Sequence, residues 1–142
     1  MTLEQRKDEV IGIFYRLPDW LDKYEFLIKI SKELLPFPEN KKNEDNQLMT
    51  CISRVWIICE EQDGKLNFTG DADMVMDQAL LALLMGVCSG CTAEEIVNDD
   101  FSFIDTIGIK EDLAPSRIKD LNAMIAKVKL FAKEQYNWEL SK

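Results

Sequence analysis

The sequence predicts a single α+β domain in which a small antiparallel β-sheet packs against several α-helices. Three observations support this fold class. Apolar residues recur at helical spacing near both ends of the chain, and two β-type segments flank an Asp-Gly dipeptide in the middle. The length of 142 residues is that of one domain, and an apolar fraction of 46% is sufficient for one hydrophobic core. We find no internal repeat, linker or low-complexity segment.

Two helices are expected in the first quarter of the chain. Thr2 and Gln5 form a capping box, and the apolar residues that follow recur at helical spacing. Pro18 separates this helix from the next, for which Asp19 is the expected N-cap. The apolar stripe of the second helix predicts that it continues until the Pro-Phe-Pro sequence at residues 36–38.

A β-hairpin is expected after a polar, solvated loop at residues 39–47. A β-branched run ends at Asp63-Gly64, which is typical of a two-residue hairpin turn, and a second strand follows. We expect the first strand to include both Cys51 and Cys59. Along a straight strand these two thiols would lie about 27 Å apart.

The second half of the sequence predicts three helices. Residues 74–87 are apolar on most faces, which predicts a helix at the centre of the core. Asp71 or Asp73, just before it, is the expected N-cap. A capping box that begins at Thr92 opens a short helix, and Pro115 is suited to the first turn of the last, long helix.

The composition excludes several classes of function. The chain contains no histidine, so it cannot use an imidazole base, a Ser-His or Cys-His pair, or a histidine metal ligand. Its formal net charge of −9 disfavours nucleic-acid binding, because proteins that bind nucleic acid usually carry a basic patch. We therefore expect no nucleic-acid partner.

Signals for export or membrane insertion are not expected. The N-terminus is charged and lacks the apolar stretch of a signal peptide. The most apolar run, residues 79–88, is too short for a membrane span, which needs about 20 residues. These observations predict a cytoplasmic protein with no membrane partner, in which the cysteines stay reduced.

The four cysteines are the candidate reactive groups. Their spacing disfavours a structural zinc site, which uses two closely spaced cysteine pairs, so we expect no metal. Cys88 and Cys91 form a Cys-x-x-Cys motif that is either redox-active or structural, although the βαβ context of a thioredoxin-like motif is absent. Cys59 lies in an apolar run that favours a core position. Cys51 lies where a polar loop becomes a strand, so its thiol is either exposable and reactive or a half-buried packing group.

The residues around Cys51 resemble a known motif. Residues 51–57, Cys-Ile-Ser-Arg-Val-Trp-Ile, are similar to the Gly-Cys-x-Ser-x-Val-Trp motif of SufE-like proteins, the sulfur acceptors of cysteine desulfurases in iron–sulfur cluster assembly. Over residues 19–129, further segments match this family in the same order: Asp19-Trp20 with Tyr24, Gly70-Asp71-Ala72-Asp73, Ala79-Leu80-Leu81-Ala82 and Leu113-Ala114-Pro115-Ser116-Arg117. The sequence departs from the family pattern at Thr50, which replaces the usual glycine, at Ile52, and at residues 118–120.

The resemblance implies that residues 1–142 form one SufE-like sulfur acceptor domain with SufE/IscU-like architecture. It implies that Cys51 takes sulfane sulfur from a cysteine desulfurase, carries it as a persulfide and passes it to an iron–sulfur scaffold, while stimulating the desulfurase. The pyridoxal phosphate belongs to the partner, and this chain is expected to hold no cofactor. Such a protein is a carrier and activator rather than a free-standing enzyme, and we expect a monomer or weak homodimer.

The resemblance also implies which residues bind the partner: Ser53, Arg54, Asp71, Asp73 and Arg117, the last near the partner-facing surface. The thiolate of Cys51 is the nucleophile, and Arg54, loop N–H groups or the partner's active site are the candidates that would activate it. An apolar cradle protects a persulfide but raises the pKa of the thiol. We therefore expect the loop to be tucked inward in the free protein and turned outward in the desulfurase complex.

Three other interpretations remain open from the sequence. An iron–sulfur cluster scaffold would need three thiolates that converge on one site, which the expected separation of Cys51 and Cys59 disfavours. A thiol redox protein would use Cys88 and Cys91. In a plain interaction domain, Cys51 would serve only for packing. Trp56 is expected either to fill the core or to line the pocket of the thiol.

Overall fold

The computed structural model of the protein describes residues 1–142 and contains six α-helices and three β-strands. In chain order, the elements are α1 (Leu3–Tyr15), α2 (Trp20–Ser31), β1 (Val55–Gln62), β2 (Lys65–Ala72), α3 (Val75–Cys88), β3 (Cys91–Thr92), α4 (Ala93–Val97), α5 (Phe103–Thr106) and α6 (Pro115–Leu140). The strands form one antiparallel sheet in the order β1-β2-β3. The expected fold class, a small antiparallel sheet against several helices, is confirmed.

The hairpin of β1 and β2 forms as expected. Gln62 pairs with Lys65, and the two residues between them, Asp63 and Gly64, have φ angles of 53° and 80°. Positive φ at both central residues is the requirement of a type I′ turn, which explains the Asp-Gly sequence. A two-residue strand that the sequence analysis did not predict, β3, follows Gly90 (φ 84°) and adds to the free edge of β2.

The first two helices begin where the sequence predicts, and the second ends early. The side chain of Thr2 accepts from the backbone N–H of Gln5 in a complete capping box, and Asp19 caps α2. The expectation that α2 continues to residue 35 was wrong, because the helix ends at Ser31. Beyond it the backbone tightens into i to i−3 hydrogen bonds, from Lys32 to Lys29 and from Glu33 to Ile30.

Helix α3 is the centre of the core and contacts α1, α2, α6 and β2. Its completely buried apolar residues are Ala79, Leu80, Leu81, Leu84, Val87 and Cys88. The expectation that an aspartate caps this helix was wrong. Met74 occupies the N-cap position without a side-chain hydrogen bond, because Asp71 pairs with Lys42 and Asp73 pairs with Arg54 instead.

Helix α6 begins at Pro115, as expected, and its 26 residues form the longest element. Leu121, Met124, Val128 and Ala132 bury one side of it in the core. None of the six helices combines the length and the apolar character that a membrane span requires.

Candidate functional site

Cys51 lies in a short loop that precedes the sheet, and not in a strand. The loop at residues 49–54, called the Cys51 loop here, is closed at its base by a hydrogen bond of 2.8 Å from Leu48 N–H to Val55 C=O. Because β1 begins only at Val55, the expectation that Cys51 and Cys59 share a strand was wrong. The six residues between Leu48 and Val55 therefore form a compact loop.

The Cys51 thiol is half-buried and points inward in this conformation. Its backbone N–H donates to Leu48 C=O at 3.1 Å, and its Sγ lies 4.0 Å from the backbone oxygen of Asp120 on α6. Burial raises the pKa of the thiol to about 12, and the nearby carboxyl groups of Asp120 and Asp77 act in the same direction. The thiol is therefore protonated and a poor nucleophile while the loop is closed.

A buried polar network lies beneath the Cys51 loop. It consists of Ser53 from the loop, Asp77 from α3, and Arg117 and Asp120 from α6. Arg117 Nη1 lies 2.9 Å from Asp77 Oδ2, and Arg117 Nη2 lies 3.5 Å from Asp120 Oδ2. The Ser53 hydroxyl donates to Asp77 and lies 3.3 Å from Asp120 Oδ2. Both aspartates are completely buried.

Asp120 binds the loop directly, and one carboxylate oxygen of the network lacks a hydrogen-bond partner. The backbone N–H of Ile52 donates to Asp120 Oδ1 at 2.9 Å. Asp77 Oδ1 is buried without a hydrogen-bond partner. Burial and the neighbouring Asp120 raise the pKa of Asp77 to about 6, whereas hydrogen bonds and Arg117 lower the pKa of Asp120. Protonation of Asp77 neutralises one of the two carboxylates, Asp77 and Asp120, that contact the single guanidinium of Arg117.

The pKa of Asp77 predicts that the protein loses stability as the pH rises toward neutrality. A carboxyl whose folded pKa is raised stabilises the fold below its unfolded pKa, and this contribution disappears as the pH passes the folded value of about 6. We expect the free energy of unfolding to fall by about 1 kcal/mol between about pH 5 and about pH 7.5. Urea unfolding at several pH values measures this loss.

The matched variant for this measurement is Asp77→Asn, which keeps the shape of the side chain and cannot titrate. The absence of histidine leaves few other groups that titrate in this interval. Asp77→Asn should therefore show a nearly flat profile over the same range. A wild-type profile as flat as that of the variant would contradict the assignment of the proton to Asp77.

Arg117 and Ser53 face the interior in this conformation. The Arg117 side chain is 14% exposed and its guanidinium is occupied by the two buried aspartates. In this conformation Arg117 lies beneath the loop rather than on the open surface, and its role in binding the partner stays a prediction. Arg54 was the side chain expected to activate the thiol; in the structure, the charge that lowers the pKa of Cys51 is that of Arg117, which was not among the candidate activators.

The other residues that the sequence assigned to partner binding lie on the surface beside the loop. Arg54 Nε donates to Asp73 Oδ2 at 2.6 Å, and their side chains are 65% and 42% exposed. Asp71 pairs with Lys42 at 3.0 Å. Trp56 is buried, and its ring is covered by the cations of Lys42 and Arg54 rather than left open to solvent.

Four apolar side chains project into solvent around the Cys51 loop. They are Met49 and Ile52 in the loop and Met74 and Val75 at the start of α3, and each is at least half exposed. A backbone hydrogen bond of 3.1 Å from Asp73 N–H to Arg54 C=O holds the two segments side by side. We call these four residues the apolar rim. Clustered exposed apolar side chains are typical of interaction sites.

The remaining cysteines do not form a second site. Cys88 and Cys91 are buried, and burial raises the pKa of both thiols, which disfavours a redox pair. Cys59 is half-buried in β1, and burial raises the pKa of its thiol to about 12. No three Cys, Asp or Glu side chains are arranged to hold a metal ion.

The two buried aspartates were not predicted from the sequence as parts of this site. Asp77 is the only charged residue of α3, an otherwise apolar helix at the centre of the core. A charge in such a helix requires a buried partner and could have marked the position. Asp120 stands in the segment where the sequence departs from the family pattern, which was a second available signal.

Comparisons with known proteins place most of the chain in a recognised domain family. The family model named SufE, described as an Fe-S metabolism associated domain, matches residues 8–132. An uncharacterized SufE-like protein of Rhizobium etli is 31% identical over 131 residues, which are 89% of this chain and 88% of that protein. An uncharacterized SufE-like protein of Synechocystis sp. is 34% identical over 116 residues, 82% of this chain and 73% of that protein.

A solved structure shares the fold. The solution structure of a hypothetical protein from Thermus thermophilus superposes with a TM-score of 0.78 and covers 93% of this chain and 96% of its own. The two sequences are 17% identical, so this similarity bears on the fold alone.

Proposed function

Because this chain belongs to the SufE family of Fe-S metabolism associated domains, we propose that it accepts sulfane sulfur from a cysteine desulfurase as a persulfide on Cys51. It then passes the sulfur on for iron–sulfur cluster assembly, and by removing sulfur it stimulates the desulfurase. The family supports the broader role in Fe–S metabolism, and the geometry around Cys51 supports the specific one.

The observation that carries the proposal is the setting of Cys51 compared with that of the other three cysteines. Cys51 lies in a short loop, half-buried, with the exposed side chains of Met49 and Ile52 on either side of it. Cys88 and Cys91 are enclosed in the core, and Cys59 lies within a regular strand. Only a loop can turn a thiol outward without breaking a helix or a sheet.

The transfer is an exchange between a thiolate and a persulfide. The Cys51 thiolate attacks the outer sulfur of the persulfide on the desulfurase cysteine and forms a new S–S bond. The S–S bond of the donor breaks, and the donor cysteine leaves as a thiolate that takes up the proton released by Cys51. The sulfane sulfur keeps its oxidation state throughout, so no external oxidant or reductant is needed.

Outward movement of the loop is required for this attack. In the closed loop, burial and two carboxyl groups raise the pKa of Cys51 from 9.0 to about 12. Exposure to solvent would restore the ordinary pKa and so increase the thiolate fraction. The closed state protects the carried sulfur, and the open state exchanges it.

The partners follow from this chemistry. The donor is a cysteine desulfurase, whose pyridoxal phosphate generates the sulfane sulfur, and the acceptor is an iron–sulfur scaffold. The apolar rim is the surface through which we expect the desulfurase to approach, because docking there places the partner directly over the Cys51 loop.

The test is a turnover measurement with a cysteine desulfurase of the same organism. Alanine release from cysteine is followed at increasing concentrations of this protein, with a general thiol reductant kept constant. We expect the rate to rise several-fold and to saturate, because removal of the persulfide frees the desulfurase for another cycle. A rate that does not depend on the concentration of this protein would contradict the proposal.

A further inference from the structure

Two aspartates from different helices meet beneath the Cys51 loop. Asp77 lies in the first turn of α3 and Asp120 in the second turn of α6, and both side chains are completely buried. Between them they contact the loop at two consecutive positions. Asp120 accepts from the Ile52 N–H, and both carboxyl groups lie within hydrogen-bonding distance of the Ser53 hydroxyl.

From this geometry we propose that Asp120 is a positioning residue for sulfur acceptance. Together with Asp77 and Arg117 it forms a latch that holds the Cys51 loop inward, and release of Ile52 and Ser53 from this latch is the step that presents the thiol. The proposal rests on the proposed function for its consequence in sulfur transfer. The existence of the latch can be tested in the protein alone.

The latch holds the middle of the loop, and backbone bonds hold its ends. Leu48 and Val55 close the base, and Asp73 N–H donates to Arg54 C=O beside it. Ile52 N–H is held by a side chain of α6 instead of by the backbone of the loop. Opening therefore needs the contacts to the carboxyl groups and the contact of Cys51 Sγ with the Asp120 backbone oxygen to break, while the base stays closed.

The composition of the network makes the latch releasable. Two carboxyl groups share one guanidinium, and Asp77 Oδ1 has no partner. A buried carboxylate without full compensation is costly, so the closed state is less favourable than a fully paired network would be. The groups that face the two carboxyls are Arg117 of α6 and Ser53 and Cys51 of the loop.

The latch also keeps the thiol inactive until the loop opens. Asp120 contacts the loop through its carboxyl group, and its backbone oxygen is the hydrogen-bond partner of Cys51 Sγ. Asp120 thus both fixes the loop backbone and disfavours ionisation of the Cys51 thiol. When the loop leaves, both effects end together.

The test compares Asp120→Ala and Asp120→Asn in the free protein, without a desulfurase. Asparagine keeps an oxygen that can accept from the Ile52 N–H, whereas alanine removes it. Alkylation of each cysteine by iodoacetamide is followed by peptide mass spectrometry, with hydrogen exchange over residues 49–54 in parallel. Asp105→Ala on α5, which removes an exposed carboxylate, is the control for charge.

We expect Asp120→Ala to accelerate alkylation of Cys51 at least about tenfold and to remove the exchange protection of the loop, because hydrogen bonds to a charged acceptor are lost. Asp120→Asn should remain within about threefold of wild type and retain protection. The half-buried Cys59 serves as the internal control and should keep its rate. If Cys59 accelerates as much as Cys51, or if Asp120→Ala behaves as wild type, the latch proposal is overturned.

A second variant decides the question if Asp120→Ala does not fold. Ser53→Ala removes one loop contact with both carboxyl groups and leaves the two helices intact. It should increase exchange over residues 49–54 without changing that of β1 and β2, and unchanged exchange in the loop would overturn the proposal. These measurements use no desulfurase, so they test the latch alone. A failure of the latch would appear in alkylation and hydrogen exchange, whereas a failure of the proposed sulfur acceptance would appear in the rate of alanine release.

Discussion

Replacement of Cys51 with serine should reduce the stimulation of alanine release to the rate of the desulfurase alone. Serine preserves the size of the side chain, but its hydroxyl does not form a persulfide, so the acceptor step is lost completely. The variant should still bind the desulfurase, because the apolar rim is unchanged. In a mixture, excess variant should therefore inhibit stimulation by the wild-type protein.

Cys59→Ser is the matched control for this prediction. Cys59 is half-buried like Cys51 and its pKa is raised to a similar value, but it lies in β1 outside the loop. Its replacement should leave most of the stimulation in place. Full stimulation by Cys51→Ser, or loss with Cys59→Ser alone, would refute the assignment of the carrier cysteine.

Replacement of Arg117 with leucine should produce the largest loss of stability. The variant leaves Asp77 and Asp120 buried side by side without their cation, and breaking a buried ion pair by removal of one partner costs about 3–5 kcal/mol. The loss should shrink as the pH is lowered toward about 5, because the stranded carboxyls then take up protons. Urea unfolding, followed by circular dichroism, measures both effects.

Arg54→Leu is the control for this measurement. The Arg54 side chain is 65% exposed and pairs with Asp73 on the surface, whereas that of Arg117 is 14% exposed. Exposed ion pairs contribute about 0–1 kcal/mol, so this variant should remain close to wild type. Equal losses for both variants would show that the network beneath the loop is not a buried charge cluster in solution.

Local signals in the sequence predicted the architecture well. Each of these signals depends on residues only a few positions apart. Those found in the structure are the capping boxes at Thr2 and Thr92, the Asp-Gly turn and the proline that begins α6. The early end of α2 and the start of β1 at Val55 were not predicted. At both places backbone hydrogen bonds, rather than the apolar pattern, set the boundary.

The network beneath the loop could not be predicted, because it joins residues that are far apart in the sequence. Ser53, Asp77 and Asp120 come from three separate elements, and only the packing of α3 against α6 brings them together. The family resemblance identified Cys51 and Arg117 and implied that the arginine lies near the partner-facing surface, whereas its side chain lies beneath the loop. The burial of Arg117 depends on the two aspartates, which the motif does not contain.

The most direct test of the central claim is to locate the transferred sulfur atom. The wild-type protein is incubated with the desulfurase and cysteine, alkylated without reduction, digested and analysed by peptide mass spectrometry. We expect one additional sulfur atom on the peptide that contains Cys51, and we expect it to disappear after treatment with a reductant. An additional sulfur atom on Cys59, Cys88 or Cys91 instead, or on no cysteine at all, would contradict that claim.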